Sequence, residues 1–303
     1  MNIVTLNNDK TIPALGLGTW RSENHKVGDA VQFALTSAEY KHVDCASIYG
    51  NEKEIGTVFN KVFSAGQIKR EETFITSKLW NTNHHPDHVE AACRKTLQDL
   101  QLEYLDLYLI HWGIAFEYGK NPEPVRNGAA KTEPVALYQT WQAMEHLVEK
   151  GLVKSIGVAN YTAPMILDLL SYAEIKPVTN QIEIHPYNSQ VGLVEYCQKN
   201  QINVTAYSPL GSSGDSEARP LQDPLILDLA AKYGKSPAQV LIKWSLQRGL
   251  IVIPKSTNPA RITENSKVED FELSSEDMKA IDGLNKNHRY VDPSGWWGIP
   301  YFN

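Results

Sequence analysis

The sequence contains little cysteine, no long apolar run and no concentrated basic segment. Its three cysteines, Cys45, Cys93 and Cys197, are widely spaced, which excludes a disulfide framework and a CxxC metal site. No window approaches the roughly 18 uninterrupted apolar residues of a membrane-spanning helix. Because the N-terminal residues also lack the basic and apolar regions of a secretory signal, we expect a cytoplasmic protein that acts away from membranes.

The charge balance is mildly acidic. The 303 residues include 35 acidic and 29 basic side chains, a net charge of −6, and 42% are hydrophobic, enough to bury a large core. Binding to a nucleic-acid backbone requires a concentrated basic face, and no lysine- or arginine-rich run occurs. The composition therefore favours a small-molecule partner over a nucleic acid.

Short apolar segments alternate with helical patterns along the chain. The segments are rich in β-branched residues and leucine, as expected for strands buried on both faces. They cover residues 15–20, 42–46, 73–80, 105–112, 154–160, 178–185, 202–210 and 250–256. Residues 3–12 ahead of them predict a β-hairpin with its turn at 7–9.

The helical patterns lie between these segments. Apolar side chains in residues 86–100 recur three and four positions apart, which predicts one core-facing stripe. Residues 236–249 begin with a capping box, Ser236 to Gln239, with Pro237 at the first helical position. Further helices are predicted near 25–38, 52–64, 134–150, 162–173, 190–200 and 274–284.

Eight strand–helix repeats of this size predict an α/β fold, a closed (β/α)₈ TIM barrel formed by residues 1–303 as a single domain. The alternative is an open doubly wound sheet, which binds nucleotides through G-x-G-x-x-G after its first strand. Residues 16–23, GLGTWRSE, lack the third glycine. We therefore favour the barrel, preceded by the β-hairpin and with a C-terminal tail over its active-site face.

Four titratable residues follow or end three successive predicted strands: Asp44 and Tyr49 the second, Lys78 the third and His111 the fourth. Each alone is more typical of an internal ion pair or of core packing. Barrel chemistry takes place at the C-terminal ends of the strands, and lysine is seldom buried without a partner. Four such residues at one rim indicate an active site.

The chemistry of these groups predicts protonation of an oxygen that is becoming an alkoxide. The ordinary pKa of tyrosine, about 10, is high for a proton donor near neutral pH. We expect the Lys78 ammonium to lower the pKa of Tyr49, and Asp44 to hold Lys78 charged. His111 can donate a hydrogen bond to the same substrate oxygen. The electrons must come from another group.

Residues 250–265 are typical of a phosphate site, because they run from the last predicted strand into a helix with Asn258 at its cap and Pro259 at its first position. Barrels often bind phosphate there, against a helix N-terminus. Lys255, Ser256 and Arg261 surround this terminus and suit a phosphomonoester. A helix start that is basic without a ligand is the alternative.

The four titratable residues, in these contexts, resemble the catalytic tetrad of the aldo-keto reductases. The motifs HVDCASIYGNEKEIG, LDLYLIHW, GVANY, NQIEIHPY, AYSPLGS and IPKSTNPARITEN match that family in order and extend over essentially the whole chain. Aldose and xylose reductases are the most similar members. The resemblance implies NADPH-dependent reduction of an aldehyde or aldose carbonyl. Tyr49 is then the general acid, Lys78 and Asp44 the pair that sets its pKa, and His111 the orienting donor.

The same resemblance implies a cofactor shell. Asn160 and Gln181 hold the carboxamide and Tyr207 stacks on the nicotinamide. Thr19, Trp20 and Asp44 also belong to this shell. The other members are Ser208, Leu210 and Ser212 at the pyrophosphate, Lys255, Ser256, Asn258 and Arg261 at the 2′-phosphate end, and Glu264 and Asn265 at the adenine.

Three positions depart from the family pattern. Ala159 stands where serine is common, so one hydrogen bond to the carboxamide is missing. Gly113 stands where proline is usual, which loosens the loop over the pocket. Asn258 stands where aldose reductases often have threonine, which leaves open whether NADH is used as well as NADPH.

The substrate pocket is predicted to have an aromatic wall. Strand-end tryptophans usually belong to the core, but Trp20, Trp80 and Trp112 surround one rim next to His111 and Lys78. Together with Tyr49 and His111 they are the substrate-binding candidates. Residues 113–133 are too long for an ordinary connection, and we expect them and the C-terminal tail to cover the pocket. Trp296 and Trp297 in the tail are the further substrate-binding candidates.

Residues 84–88 contain three histidines, His84, His85 and His88, that suggest a metal site at first sight. No fourth ligand or open coordination position accompanies them. We therefore interpret them as part of a solvated loop that holds no metal.

Two other functions remain open from the sequence. The chain could be a redox-sensing or structural barrel that binds a nucleotide without catalysis, although an intact tetrad argues against this. It could also be a polyol or alcohol dehydrogenase, since one active site serves both directions of the reaction. The sequence does not decide between a monomer and a dimer.

Overall fold

Eight parallel strands curl into the α/β barrel of the computed structural model, which describes residues 2–23, 25–211 and 219–302. An antiparallel hairpin, β1 (Ile3–Thr5) and β2 (Thr11–Pro13), precedes them. The barrel strands are β3 (Leu17–Gly18), β4 (His42–Asp44), β5 (Phe74–Leu79), β6 (Leu107–Ile110), β9 (Ile156–Ala159), β10 (Thr179–Glu183), β11 (Asn203–Tyr207) and β12 (Ile251–Val252). A second small hairpin, β7 (Val125–Arg126) and β8 (Ala129–Ala130), lies in the long connection after β6.

Neighbouring strands follow chain order, from β3 to β12, with the small hairpin outside the sheet. The two edge strands meet, because Gly16 N donates to Val252 O at 2.9 Å and Gly18 N donates to Pro254 O at 3.1 Å. Closure leaves no free edge in the barrel. The predicted barrel and all eight predicted strand segments are confirmed.

The helices of the described residues supply the layer outside the strands, except for the last and shortest one, which lies in the C-terminal tail. They are α1 (Val27–Thr36), α2 (Glu52–Ser64), α3 (Pro86–Leu100), α4 (Leu137–Glu149), α5 (Ala163–Tyr172), α6 (Val191–Lys199), α7 (Pro224–Tyr233), α8 (Pro237–Gln247), α9 (Pro259–Ser266), α10 (Ser275–Asp282) and α11 (Ser294–Trp297). The capping box of α8 is present, because Ser236 N donates to Gln239 Oε1 and Gln239 N donates to Ser236 Oγ.

Helix α7 was missed from the sequence. Asp223 caps it through its carboxylate, Pro224 occupies the first position and Gly234 ends it in the left-handed conformation, which are all ordinary helix signals. Leu227, however, faces solvent beside the buried Ile226. An exposed leucine next to a core-facing residue obscures the three-and-four spacing of apolar residues from which the helices were predicted.

The β1–β2 hairpin determines which end of the barrel stays open. Leu6 and Ile12 join one apolar cluster with Leu107, Leu109 and Ile251, which come from the barrel strands. Burying these side chains together closes the barrel beneath the hairpin and leaves the opposite, C-terminal ends of the strands available for a site. Within the described residues, no helix combines the length and apolar character needed to cross a membrane.

Candidate active site

Three neighbouring strands bring the four predicted titratable residues together. Asp44 ends β4, Lys78 lies in β5 one residue before its end, and His111 directly follows β6. Asp44 pairs in register with Thr76, two residues before Lys78 on the next strand. A short 3₁₀ turn, Ser47–Tyr49, returns the chain so that the phenol of Tyr49 lies above the strand ends.

Lys78 is fully buried and makes three close polar contacts. Its Nζ lies 2.6 Å from Asp44 Oδ2, 2.8 Å from the carbonyl oxygen of Cys45 and 3.3 Å from the hydroxyl of Tyr49. A buried ammonium is tolerated only when its charge is paired and its protons are bound. The ion pair therefore holds the cation against the phenol, as the sequence predicted.

Asp44 is fixed on its other side. Its Oδ1 accepts a hydrogen bond from Gln181 Nε2 at 2.8 Å, and its backbone oxygen accepts one from Thr19 Oγ1 at 2.8 Å. Asn51 Nδ2 in turn donates to Thr19 O at 3.0 Å. Because each carboxylate oxygen has its own donor, the side chain of Asp44 has a single orientation beside Lys78.

The expected direction of the Tyr49 pKa is wrong for this structure. Burial raises the pKa of the Tyr49 phenol well above its ordinary value, and the negative charge of Asp44 adds to the effect. The desolvation of a phenolate in this position outweighs the attraction of Lys78, whose charge is largely taken up by Asp44. The phenol is therefore protonated at neutral pH.

His111 is neutral in this environment. Burial lowers its pKa well below the ordinary value, and the positive charge of Lys78 lowers it further. Its ring meets those of Tyr49 and Trp80 edge to face, with centroids 5.8 Å and 5.2 Å apart. A neutral imidazole carries one N–H donor and one acceptor, so His111 can donate one hydrogen bond beside the phenol.

Two further strand ends complete the rim through a polar network. Asn160, after β9, donates from Nδ2 to His111 O at 2.9 Å and accepts at Oδ1 from the hydroxyl of Tyr207 at 2.8 Å. Asn160 and Ser208 both have left-handed backbone conformations, with φ of 61° and 49°. Such conformations at two strand ends are typical of functional sites.

One cavity of about 800 Å³ connects these residues. Every site residue predicted above lines it except two. Lys78 lies behind Tyr49, and Ser212 lies outside the described residues. The cavity is also lined by Arg21, Ile48, Glu123 and Val291, which the sequence did not single out. Glu123 belongs to the long connection that was expected to cover the pocket, so that expectation is confirmed.

One end of the cavity is basic. Lys255 and Arg261 line it, and within the described residues neither forms an ion pair. Asn258 Oδ1 caps α9 by accepting from the backbone N–H of Ala260 and Arg261, at 2.9 Å and 3.2 Å. Two cations beside a helix N-terminus suit a phosphate group.

The other end of the cavity is aromatic. The ring of Trp297 lies 6.1 Å from that of Trp80, 5.1 Å from Trp112 and 4.8 Å from Phe116, each near edge to face. Trp80 Nε1 donates to Pro122 O at 2.6 Å, which ties the long connection to the wall. The C-terminal tail thus lies over the pocket, as the sequence predicted.

The three histidines of residues 84–88 have different surroundings. His84 is buried, and burial lowers its pKa to about 3, so describing it as part of a solvated loop is wrong. His85 lies at the N-cap of α3, where it accepts from Asp87 N at 3.4 Å, and His88 stacks on Tyr118 at 3.8 Å. No cluster of metal-ligating side chains occurs in the part of the chain that the structure describes.

Glu52 is a buried carboxyl group that the sequence analysis missed. Its Oε1 accepts from Ser77 Oγ at 2.6 Å and its Oε2 from Thr96 Oγ1 at 3.2 Å, between α2, α3 and β5. Burial raises its pKa from 4.5 to about 7 despite these two bonds. Glu52 lies three positions before Ile55 on the core-facing side of α2, and this spacing could have indicated from the sequence that Glu52 is buried.

The raised pKa of Glu52 predicts a loss of stability as pH rises. Between pH 4.5 and about 7 the unfolded chain releases this proton before the folded protein does, so stability falls by at most about 3 kcal/mol. Below that range the group is protonated in both states. Glu52→Gln cannot ionise and should become progressively more stable than the parent protein between about pH 5 and pH 8.

Urea unfolding at about pH 5 and about pH 8 measures the difference in the free energy of unfolding between Glu52→Gln and the parent protein. Glu149→Gln, at an exposed position of α4, is the matched control and should show the same difference from the parent at both values. A Glu52→Gln difference that does not change with pH would contradict the raised pKa.

The comparisons with known proteins agree with this geometry. Residues 14–286 match the model of the aldo/keto reductase family. The chain is 51% identical over 297 residues to aldo-keto reductase family 1 member A1 of Rattus norvegicus, and 50% identical over the same length to the Homo sapiens protein of that name. Each match covers 96% of this chain and 91% of the relative.

Solved structures named as aldose reductases are similar over nearly the whole chain. The aldose reductase of Schistosoma japonicum matches with a TM-score of 0.94 at 44% identity, covering 99% of this chain and 98% of that one. The aldose reductase of Giardia lamblia matches with a TM-score of 0.92 at 46% identity, covering 96% and 98%. The chain therefore belongs to the aldo/keto reductase family and is an NAD(P)H-dependent oxidoreductase that acts on carbonyl groups.

Proposed function

We propose that this enzyme reduces an aldehyde or aldose to the alcohol with NADPH, and that Tyr49 supplies the proton. The observation that carries the proposal is the 3.3 Å contact between Lys78 Nζ and the Tyr49 hydroxyl. This contact lies at one end of a cavity that continues to the basic end at Lys255 and Arg261. The same cavity thus offers a proton donor and a phosphate site.

The residues present fit a nicotinamide dinucleotide. Asn160, Gln181 and Tyr207 line the cavity beside Tyr49 and can hold a carboxamide and a flat ring, and the basic end can hold a 2′-phosphate. When bound, the nicotinamide supplies the hydride that goes to the carbonyl carbon. The bond from Gln181 to Asp44 joins this part of the cavity to the ion pair.

The protein itself handles the proton. The Tyr49 hydroxyl donates its proton to the carbonyl oxygen as that oxygen gains negative charge, and the neutral His111 donates a hydrogen bond to the same oxygen. The raised pKa keeps the phenol protonated before the reaction. The Lys78 ammonium, 3.3 Å from the hydroxyl oxygen, then stabilises the phenolate that remains.

The direct test is a steady-state assay of NADPH and NADH oxidation with xylose, glyceraldehyde and 4-nitrobenzaldehyde. Reduction of at least one aldehyde with NADPH supports the proposal. Nucleotide binding without turnover of any of them in either direction would favour the barrel that binds without catalysis. Turnover of alcohols only, with the oxidised nucleotide, would favour the dehydrogenase. A single-domain chain, a cytoplasmic location, xylose as substrate, dual use of NADH and a monomer or dimer all stay predictions.

Replacing Arg261 tests the 2′-phosphate assignment. Arg261→Ala removes a guanidinium that can bind this phosphate, so the Kd for NADPH should rise about 10-fold to 100-fold, as expected for hydrogen bonds to a charged group. The Kd for NADH, which lacks the phosphate, should change less than about threefold. Titration of the quenching of protein fluorescence measures both, with Arg94→Ala on exposed α3 as the matched control. Equal losses for the two nucleotides would show that Arg261 does not read the 2′-phosphate.

A further inference from the structure

The C-terminal tail, residues 290–302, is tied to the barrel near both of its ends. At the first end the buried Glu183, which ends β10, accepts from Tyr290 N at 2.7 Å and from Val291 N at 2.9 Å. Its Oε1 also lies 2.8 Å from His185 Nε2. Charge-assisted bonds to two successive backbone amides fix where the tail begins to cross the barrel mouth.

The second tie joins Gly113 to Tyr301. The backbone N–H of Gly113 donates to the Tyr301 hydroxyl at 2.8 Å. Gly113 follows His111 and Trp112 directly, so this bond anchors the far end of the tail beside the proposed hydrogen-bond donor. The Tyr301 ring also meets that of Trp112 edge to face at 5.3 Å.

Glycine at position 113 makes this tie available. A proline at this position would lack the N–H and could not donate to Tyr301. A Cβ at this position would lie 1.9 Å from Met165 Cε, 3.1 Å from Tyr161 Cε2 and 3.1 Å from the Tyr301 hydroxyl. The space beside Gly113 is therefore filled by side chains of the β9–α5 region and of the tail. Glycine at this position was expected to loosen the loop, but its backbone N–H holds the tail in place.

Trp297 lies between the two ties and forms the tail's part of the aromatic wall. The chain passes Gly128 of the small hairpin so closely that a Cβ on Gly298 would lie 2.6 Å from Gly128 O. Phe302, beyond the second tie, is covered by the guanidinium of Arg289 at 3.8 Å from the ring centroid. Removing the Tyr301 hydroxyl would thus loosen one anchor while the packing of its neighbours remains.

We propose that Tyr301 is a positioning residue for substrate selection. Its bond from Gly113 holds the tail so that Trp297 faces the pocket and packs against bulky, aromatic carbonyl substrates. The proposal rests on the proposed function, because it concerns the substrate end of the same cavity. It differs from that function in assigning selection to a hydrogen bond outside the pocket.

Tyr301→Phe removes the hydroxyl and leaves the ring. The KM for 4-nitrobenzaldehyde should rise about 2-fold to 10-fold, the range that corresponds to one net hydrogen bond. The KM for glyceraldehyde, the Kd for NADPH and kcat for both substrates should stay within about twofold. Tyr138→Phe makes the same chemical change on the exposed face of α4 and is the matched control. Equal rises in KM for the two aldehydes would overturn the proposal.

Hydrogen exchange measured by mass spectrometry tests the tie without any turnover. The amides of residues 294–302 should exchange several-fold faster in Tyr301→Phe than in the parent protein, and those of β6 should not change. Unchanged tail exchange would overturn the proposal. If the parent protein reduces no aldehyde, the proposed function is refuted. The exchange measurement still tests whether the bond between Gly113 and Tyr301 holds the tail.

A double-variant cycle locates the partner of the hydroxyl. Gly113→Pro removes the donor and also places its ring against Met165 and Tyr161. It should therefore raise the KM for 4-nitrobenzaldehyde in both backgrounds, but by a smaller factor in Tyr301→Phe, where the bond is already absent. Full additivity of the two changes would overturn the assignment of Gly113 as the partner. If Gly113→Pro does not fold, because the ring meets Met165, the exchange and KM measurements on Tyr301→Phe decide by themselves.

Discussion

Replacement of Tyr49 by phenylalanine is expected to lower kcat for aldehyde reduction by about 100-fold to 10,000-fold, the usual contribution of a general acid. The ring keeps its edge-to-face contact with His111, so the pocket retains its shape. Without the hydroxyl, the carbonyl oxygen has no proton donor in line with Lys78. Steady-state NADPH oxidation with 4-nitrobenzaldehyde measures the loss.

The binding of nucleotide separates this effect from a folding defect. The Kd for NADPH should change less than about threefold in Tyr49→Phe, since the proposed phosphate site at Lys255 and Arg261 lies at the other end of the cavity. Tyr138→Phe, which removes a hydroxyl from an exposed helix, should retain full turnover. Near-full activity of Tyr49→Phe with nucleotide bound would show that another group provides the proton.

Replacement of Lys78 by methionine should remove both activity and a large part of the stability. Lys78 is fully buried, and its loss leaves the Asp44 carboxylate buried, with Gln181 as its one remaining side-chain donor among the residues that the structure describes. Removing one partner of a buried ion pair typically costs about 3–5 kcal/mol. The kcat should fall at least as far as in Tyr49→Phe, because the phenolate would form without a cation beside it. Urea unfolding and the same reductase assay measure the two effects.

A second substitution separates the two losses. Lys78→Met with Asp44→Asn removes the unpaired charge, so the double variant should recover more than half of the stability lost by Lys78→Met. Its turnover should stay as low as that of the single variant, since the cation is still missing. A double variant as unstable as the single one would show that Asp44 is not the main partner of Lys78. Recovery of activity together with stability would show that Lys78 acts only through the fold.

The residues at the strand ends could be predicted because each is a polar residue next to an apolar segment, and this difference in polarity is visible within one short stretch of sequence. Asp44, Lys78 and His111 each interrupt or follow an apolar segment, and barrel geometry places the ends of successive strands side by side. Residues that depend on distant packing were harder to predict. Glu183 looks like one more residue of a buried strand, yet it receives the amides of Tyr290 and Val291 more than a hundred positions away.

The electrostatics of the site also required the structure. The sequence suggests that Lys78 lowers the pKa of Tyr49, since a cation favours a phenolate. The structure shows that burial and Asp44 have the larger effect and raise it. The sign depends on how much water and how many carboxylates surround the phenol, and neither quantity can be obtained from the spacing of residues along the chain.

The amino-acid sequence by itself determined the barrel, the identity of the four clustered titratable residues and the basic helix start at Asn258, because periodicity, capping and strand-end polarity are properties of short segments. Tertiary structure decided what these groups experience: the neutral states of Tyr49 and His111, the buried acid Glu52, and the tie between Gly113 and Tyr301. The physical reason is that desolvation and long-range hydrogen bonds arise only when segments far apart in the chain exclude water from one another.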